Sequence, residues 1–146
     1  MKKVNLENIL FVCTHNSARS QMAEAILRAK YGNRYQVYSA GTEPTNINRY
    51  VQKILTEIDI DVSNLESKHV NQFLDTDFDL VVTVCDSAKE ECPFIPGAKN
   101  SDHKNFPDPS QFIGTEEEIL NSVRKVRDEM IEWITKKFNP NTGNLI

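Results

Sequence analysis

Three short segments of this 146-residue chain have the hydrophobic pattern of β-strands. Residues 9–12 form a continuous apolar run, and residues 35–39 predict a second strand. Residues 79–84 are a nearly continuous β-branched run, as expected of a strand that helices cover on both faces.

The segments between and after these strands have helical patterns. Residues 21–31 predict a first helix, directly after the first strand and a short loop. Apolar residues recur at intervals of three and four within residues 47–58 and again within 119–134, which predicts two helices with one buried face each. Residues 67–74 predict one more short helix.

Strands that alternate with helices predict an α/β fold with right-handed crossovers and a parallel sheet. The length suits a single catalytic domain over residues 1–138, and we expect residues 139–146 to be a loose tail. Ligands of such sheets bind at the carboxyl ends of the strands. Cys13 and Cys85 both follow predicted strands at that edge.

Charge and composition exclude several classes of partner. The net charge of −4 and the pI near 5.4 disfavour binding to nucleic acid or to an anionic membrane. Polar residues interrupt the beginning of the chain, so we expect neither a signal peptide nor a membrane span, and a cytoplasmic location. Three cysteines do not suggest a structural disulfide framework, which leaves catalytic or redox roles. We expect a monomer.

The loop between the first strand and the first helix has the composition of an oxyanion site. A loop in this position directs backbone amides and the positive end of the helix dipole at one point. Because such surroundings lower a cysteine pKa, we predict that Cys13 is a thiolate nucleophile. The predicted oxyanion-binding residues are Thr14, His15, Asn16, Ser17, Ala18, Arg19 and Ser20.

Individual side chains of this loop have matching roles. The planar guanidinium of Arg19 suits two oxygens of a tetrahedral anion, and the Ser20 hydroxyl can donate to the sulfur. Asn16 tolerates the left-handed backbone that a curled loop needs. A nucleotide-binding loop is excluded because its glycines and its Gly-Lys-Ser/Thr ending are missing. The alternative for Cys13 is a small buried apolar residue.

Two further segments carry candidate chemistry. Cys85 and Cys92 lie in a polar segment after the third strand, where a thiol relay would reach Cys13. Their spacing does not match a zinc site, and the alternative is a buried strand-end residue with an idle surface thiol. Asp108, between Pro107 and Pro109, is a candidate general acid over the anion; its alternative is an ordinary turn residue.

Together these motifs resemble the low-molecular-weight tyrosine phosphatase superfamily, and within it the thioredoxin-coupled arsenate reductases. The resemblance covers nearly the whole chain, and the Cys85/Cys92 pair is its most specific part. The phosphatases typically have a second cysteine where this chain has Ala18, and an aromatic residue where it has Ser110. The resemblance implies a flavodoxin-like, three-layer α/β fold with a four-stranded parallel sheet.

The resemblance also implies a reaction sequence. Cys13 would attack bound arsenate while Arg19 holds its oxygens and Asp108 protonates the departing oxygen. Cys85 would then attack Cys13 and release arsenite, and Cys92 would resolve the resulting disulfide. Thioredoxin would supply the reducing equivalents, with no bound cofactor and no metal.

Other functions use the same residues. A phosphatase acting on tyrosine or small phosphate esters would need Cys13, Arg19 and Asp108 alone, and a thiol-based redox sensor or a phosphate-like oxyanion binder would need no turnover. His15 stands where the family often has glycine, so it either narrows the site or faces solvent. Lys68 stands near a monovalent-cation site of some relatives, where its ammonium would replace the ion.

Overall fold

The computed structural model describes residues 6–86, 90 and 95–139. Its strands are β1 (Glu7–Cys13), β2 (Tyr35–Gly41), β3 (Leu80–Thr83) and β4 (Ser101–His103). They form one parallel sheet in the order β2-β1-β3-β4. The α/β fold with a four-stranded parallel sheet, expected from the resemblance, is confirmed.

The helices lie where the hydrophobic periodicity predicts them. They are α1 (Arg19–Tyr31), α2 (Arg49–Thr56) and α3 (Glu116–Phe138), which pack against one another. The predicted short helix is a 3₁₀ helix, Val70–Phe73, and a second 3₁₀ helix, Pro109–Gln111, follows β4. None of the helices that the structure describes is long and apolar enough to cross a membrane.

The C-terminal helix α3 covers one face of the sheet. The side chain of Phe11 on β1 is fully buried, and its ring meets those of Trp133 and Phe138 edge to face, with centroids 6.3 and 6.0 Å apart. A capping box fixes the start of α3, because Thr115 and Glu118 each accept a hydrogen bond from the other's backbone amide.

The opposite face of the sheet is covered by the first 3₁₀ helix. Leu10 pairs with Tyr38, and since neighbouring residues of a strand point to opposite faces, these side chains point away from Phe11. Tyr38 packs against Phe73 and Phe78 at centroid distances of 5.7 and 5.8 Å. The sheet is therefore buried on both faces, and its carboxyl edge is left for the site.

We expect Phe11→Ala to lower the free energy of unfolding by about 3–5 kcal/mol, since it removes a buried ring and leaves a cavity. Ile113→Ala is the control, because Ile113 is 92% exposed and its change should stay within about 0.5 kcal/mol. Urea unfolding of both variants measures the difference, and equal losses would contradict this description of the core.

Candidate active site

The predicted oxyanion loop connects the end of β1 at Cys13 to the start of α1 at Arg19. Ala18 is the N-cap of α1, and its side chain makes no capping hydrogen bond to the first turn of this helix. The first amides of a helix lack partners within it, so an uncapped N-terminus can bind an anion. The loop and the helix end thus form one positively polarised pocket.

The outer surface of the loop is bound to the segment that follows β2. Four carbonyl oxygens of the loop accept hydrogen bonds from amides of this segment, at distances of 2.7–3.3 Å. Because the carbonyls are directed outward, the amides of the loop are left to face inward, and the Asn16 amide donates to the Cys13 sulfur at 3.2 Å. The four hydrogen bonds, each with the amide donor first and the carbonyl acceptor second, are Thr42 to Cys13, Glu43 to Thr14, Thr45 to His15 and Asn48 to Ser17.

Asn16 holds the loop in its curled shape. It has a φ of 48°, so the predicted left-handed conformation is confirmed, and its side chain is completely buried. Its Nδ2 donates to the hydroxyls of Ser20 and Ser39 at 2.8 and 2.9 Å. Its Oδ1 accepts from Gln21 Nε2 at 3.0 Å and from the Lys68 amide at 2.8 Å.

Cys13 is buried at the start of this loop, with 3% of the residue exposed. Its Sγ is 2.8 Å from Ser20 Oγ, and since that oxygen already accepts from Asn16, its hydrogen is available to the sulfur. Burial raises the pKa of Cys13, which outweighs the lowering by hydrogen bonds from Ser20 and Asn16. The predicted lowering of the Cys13 pKa is therefore wrong.

Arg19 and Asp108 meet beside the loop, as the sequence predicts for site residues. Arg19 donates from Nη1 to the Phe106 carbonyl at 3.1 Å, and its Nη2 lies 3.5 Å from Asp108 Oδ2. The other carboxylate oxygen of Asp108 accepts from the amide and the hydroxyl of Ser110. Asp108 is thus a turn residue whose carboxylate also lies beside Arg19.

Cys85 lies at the same edge of the sheet, just beyond β3. It is 2% exposed, and its Sγ is 3.5 Å from the Thr14 hydroxyl of the oxyanion loop. Cys85 is also close enough to Cys13 to be among the groups that raise its pKa. The structure therefore brings two of the predicted thiols together, while Cys92 lies outside the described residues.

Two residues near the loop have roles that the sequence did not settle. Gly41 ends β2, and a Cβ there would lie 2.6 Å from the Thr14 carbonyl oxygen and 2.8 Å from the Asn16 nitrogen, so only glycine fits. The exposed His15 binds the Glu43 carbonyl through Nδ1 at 3.0 Å, which places its ring on the outer side of the loop.

A buried carboxylate extends the network behind the loop. Glu24 accepts from the Ser39 hydroxyl at 2.6 Å and pairs with Arg28 at 2.8 Å. The Lys68 ammonium lies 3.9 Å from Glu24 Oε1 and donates to the Glu66 carbonyl. The Lys68 ammonium is therefore a cation beside the Glu24 carboxylate. The described residues contain no group of three His, Cys, Asp or Glu side chains that could hold a metal ion.

Solved structures of other proteins share this fold. An arsenate reductase in its oxidised state superposes with a TM-score of 0.76 over 90% of this chain and 95% of that one; at 24% identity this shows the fold alone. A thioredoxin-dependent arsenate reductase from Corynebacterium glutamicum is 28% identical, with a TM-score of 0.57 over 90% of this chain and 63% of that one.

Sequence comparison gives the family. The arsenate reductase of Oceanobacillus iheyensis is 41% identical over 122 residues, which cover 84% of this chain and 88% of that protein. The family model described as low molecular weight phosphotyrosine protein phosphatase matches residues 8–140, which include the loop, Arg19, Cys85 and Asp108. The chain belongs to the low molecular weight phosphotyrosine protein phosphatase family.

Proposed function

We propose that this protein reduces arsenate to arsenite, with Cys13 as the nucleophile and with electrons that thioredoxin supplies through a disulfide relay. The main support for this proposal is the position of Cys85, because this second thiol is buried and contacts Thr14 of the oxyanion loop. Ester hydrolysis at the same loop requires no second thiol. The arsenate reductases among the relatives support the same choice.

The loop amides, the uncapped start of α1 and Arg19 bind the arsenate dianion. Burial raises the pKa of the Cys13 thiol, and in this scheme the bound dianion accepts the thiol proton as the sulfur attacks arsenic. Asp108, held beside Arg19, protonates the departing oxygen, which leaves as water. The product of this step is an arsenic ester of Cys13.

Cys85 then completes the reduction. Its sulfur attacks the sulfur of Cys13, so that a sulfur–sulfur bond forms and the sulfur–arsenic bond breaks. The electron pair of the broken bond remains on arsenic, which passes from the +5 to the +3 state, and the two thiols become one disulfide. The thiol proton of Cys85 is released as its sulfur attacks.

Cys92 is proposed to resolve this disulfide by attacking Cys85, which frees Cys13. Thioredoxin then reduces the Cys85–Cys92 disulfide, and the thioredoxin dependence of the Corynebacterium glutamicum relative supports this partner. A relay of free thiols needs a reducing compartment, so we place the protein in the cytoplasm. All the proposed groups belong to one chain, so a monomer suffices.

The second candidate function is phosphate-ester hydrolysis, because the family model is that of a phosphatase and the Cys13, Arg19 and Asp108 geometry serves both reactions. Arsenate-dependent oxidation of NADPH by thioredoxin reductase and thioredoxin, measured beside aryl phosphate hydrolysis, separates the two. Thioredoxin-linked turnover is expected, and hydrolysis alone would contradict arsenate reduction.

Cys13→Ser should abolish both arsenate reduction and ester hydrolysis, because a hydroxyl lacks the nucleophilicity of sulfur. Phosphate binding, measured by calorimetry, should be partly retained, since the loop and Arg19 remain. Residual turnover above a few per cent would exclude Cys13 as the nucleophile.

Asp108→Asn should slow arsenate reduction by about 10²- to 10⁴-fold, the usual effect of losing a general acid. The amide oxygen of asparagine still accepts from the Ser110 amide, so the turn is kept. Rapid-mixing measurement of the first chemical step tests this, with Asp75→Asn as an exposed control. An unchanged rate constant would show that Asp108 has only a structural role in the turn.

Cys92→Ser should release one arsenite per chain and then stop with the Cys13–Cys85 disulfide in place. Cys85→Ser should release none in the first turnover when no other thiol is present, and ester hydrolysis should survive both changes. Mass mapping of disulfides after one turnover measures this outcome. Wild-type cycling of Cys92→Ser with thioredoxin would show that the relay does not end at Cys92.

A further inference from the structure

We propose that His103 and Asp86 are positioning residues, which hold Cys85 in place for its attack on Cys13. This inference rests on the proposed arsenate reduction, because only that reaction uses Cys85. Neither residue belongs to the oxyanion loop, and neither contacts the predicted catalytic groups Cys13, Arg19 or Asp108 through a hydrogen bond that the structure records.

A chain of hydrogen bonds runs from β3 through His103 to Asp86. Thr83 ends β3 and His103 ends β4, and the two residues are paired in the parallel register. Thr83 Oγ1 lies 2.7 Å from His103 Nδ1, and His103 Nε2 lies 2.8 Å from Asp86 Oδ1. A neutral imidazole with its hydrogen on Nε2 satisfies both contacts, because the threonine hydroxyl then donates to Nδ1.

Asp86 immediately follows Cys85 in the chain and is held at a second point. Its amide donates to Asn105 Oδ1 at 3.2 Å, while its carboxylate accepts from His103. The peptide group that links Cys85 to Asp86 is thus fixed against the end of β4. Because this peptide group is fixed, the Cys85 thiol has less freedom to turn away from the oxyanion loop.

The same segment also supports the arginine of the oxyanion loop. The Lys104 amide donates to the Thr83 carbonyl at 2.9 Å, and the Phe106 amide donates to the Val84 carbonyl at 3.3 Å. The Phe106 carbonyl in turn accepts from Arg19. Residues 103–106 therefore bond to the residues on either side of Cys85, Val84 and Asp86, and also to Arg19, so they set the position of the second thiol relative to the bound oxyanion.

The exposure of Asp86 argues that its contact with His103 serves positioning rather than stability. The side chain of Asp86 is 75% exposed and that of His103 is 22% exposed, and a contact with an exposed carboxylate contributes little to folding. The other charged groups at His103 are Asp102, which accepts from the His103 amide, and Lys137, which pairs with Asp102. Loss of the Asp86 contact therefore leaves the end of β4 anchored.

The test separates the two chemical steps. In His103→Ala and Asp86→Ala, single-turnover arsenite release should slow by roughly 10- to 100-fold, the effect of a small misplacement of a reacting group. Aryl phosphate hydrolysis, which uses Cys13, Arg19 and Asp108 but not Cys85, should stay within about twofold of the wild type. His103→Gln should recover most of the rate, since its amide can donate to Asp86 and accept from Thr83.

Asp75→Ala is the matched control, an exposed aspartate before β3 and hence at the opposite end of the sheet. Wild-type arsenite release from His103→Ala and Asp86→Ala would overturn the positioning role, and so would an equal loss of arsenite release and hydrolysis. Should His103→Ala not fold, the mostly exposed Asp86 provides the decisive variant. Absence of arsenite release from the wild-type protein would instead overturn the proposed function itself.

Discussion

The conformation of Asn16 is the constraint on which the rest of the site depends. This buried asparagine has a φ of 48°, which turns the chain between β1 and α1. Its side-chain amide donates hydrogen bonds to two serine hydroxyls, and its side-chain oxygen accepts two hydrogen bonds. These bonds orient Ser20 toward the sulfur and tie the loop to β2 through Ser39. Without this turn, the carbonyls would not all face outward and the amides could not converge on an anion.

The elements and the loop were predictable from sequence because they depend on local patterns. Apolar runs locate β1 to β3, and the spacing from Cys13 to Arg19 locates the anion pocket. The position of β4 was not predictable, because its three residues are polar and it is held by backbone pairing with β3. The raised pKa of Cys13 was missed for a similar reason: it follows from burial, which spacing does not reveal.

One scaffold can support hydrolysis and reduction because the two reactions share their first step. Both require an anion pocket, a sulfur nucleophile and an acid, the roles proposed for Arg19, Cys13 and Asp108. The two reactions differ in the group that attacks next. In hydrolysis, water attacks the bound oxyanion, whereas in reduction a thiol attacks the Cys13 sulfur. Cys85, which is buried and lies 3.5 Å from the Thr14 hydroxyl, is the thiol proposed for this attack.

Arsenic speciation after one turnover tests whether Cys13 and Cys85 together reduce arsenate. Fully reduced protein is mixed with excess arsenate, with no other thiol present, and arsenite is quantified against protein chains. We expect one arsenite per chain, accompanied by the loss of two free thiols. Release of no arsenite, from protein that still hydrolyses an aryl phosphate, would contradict it.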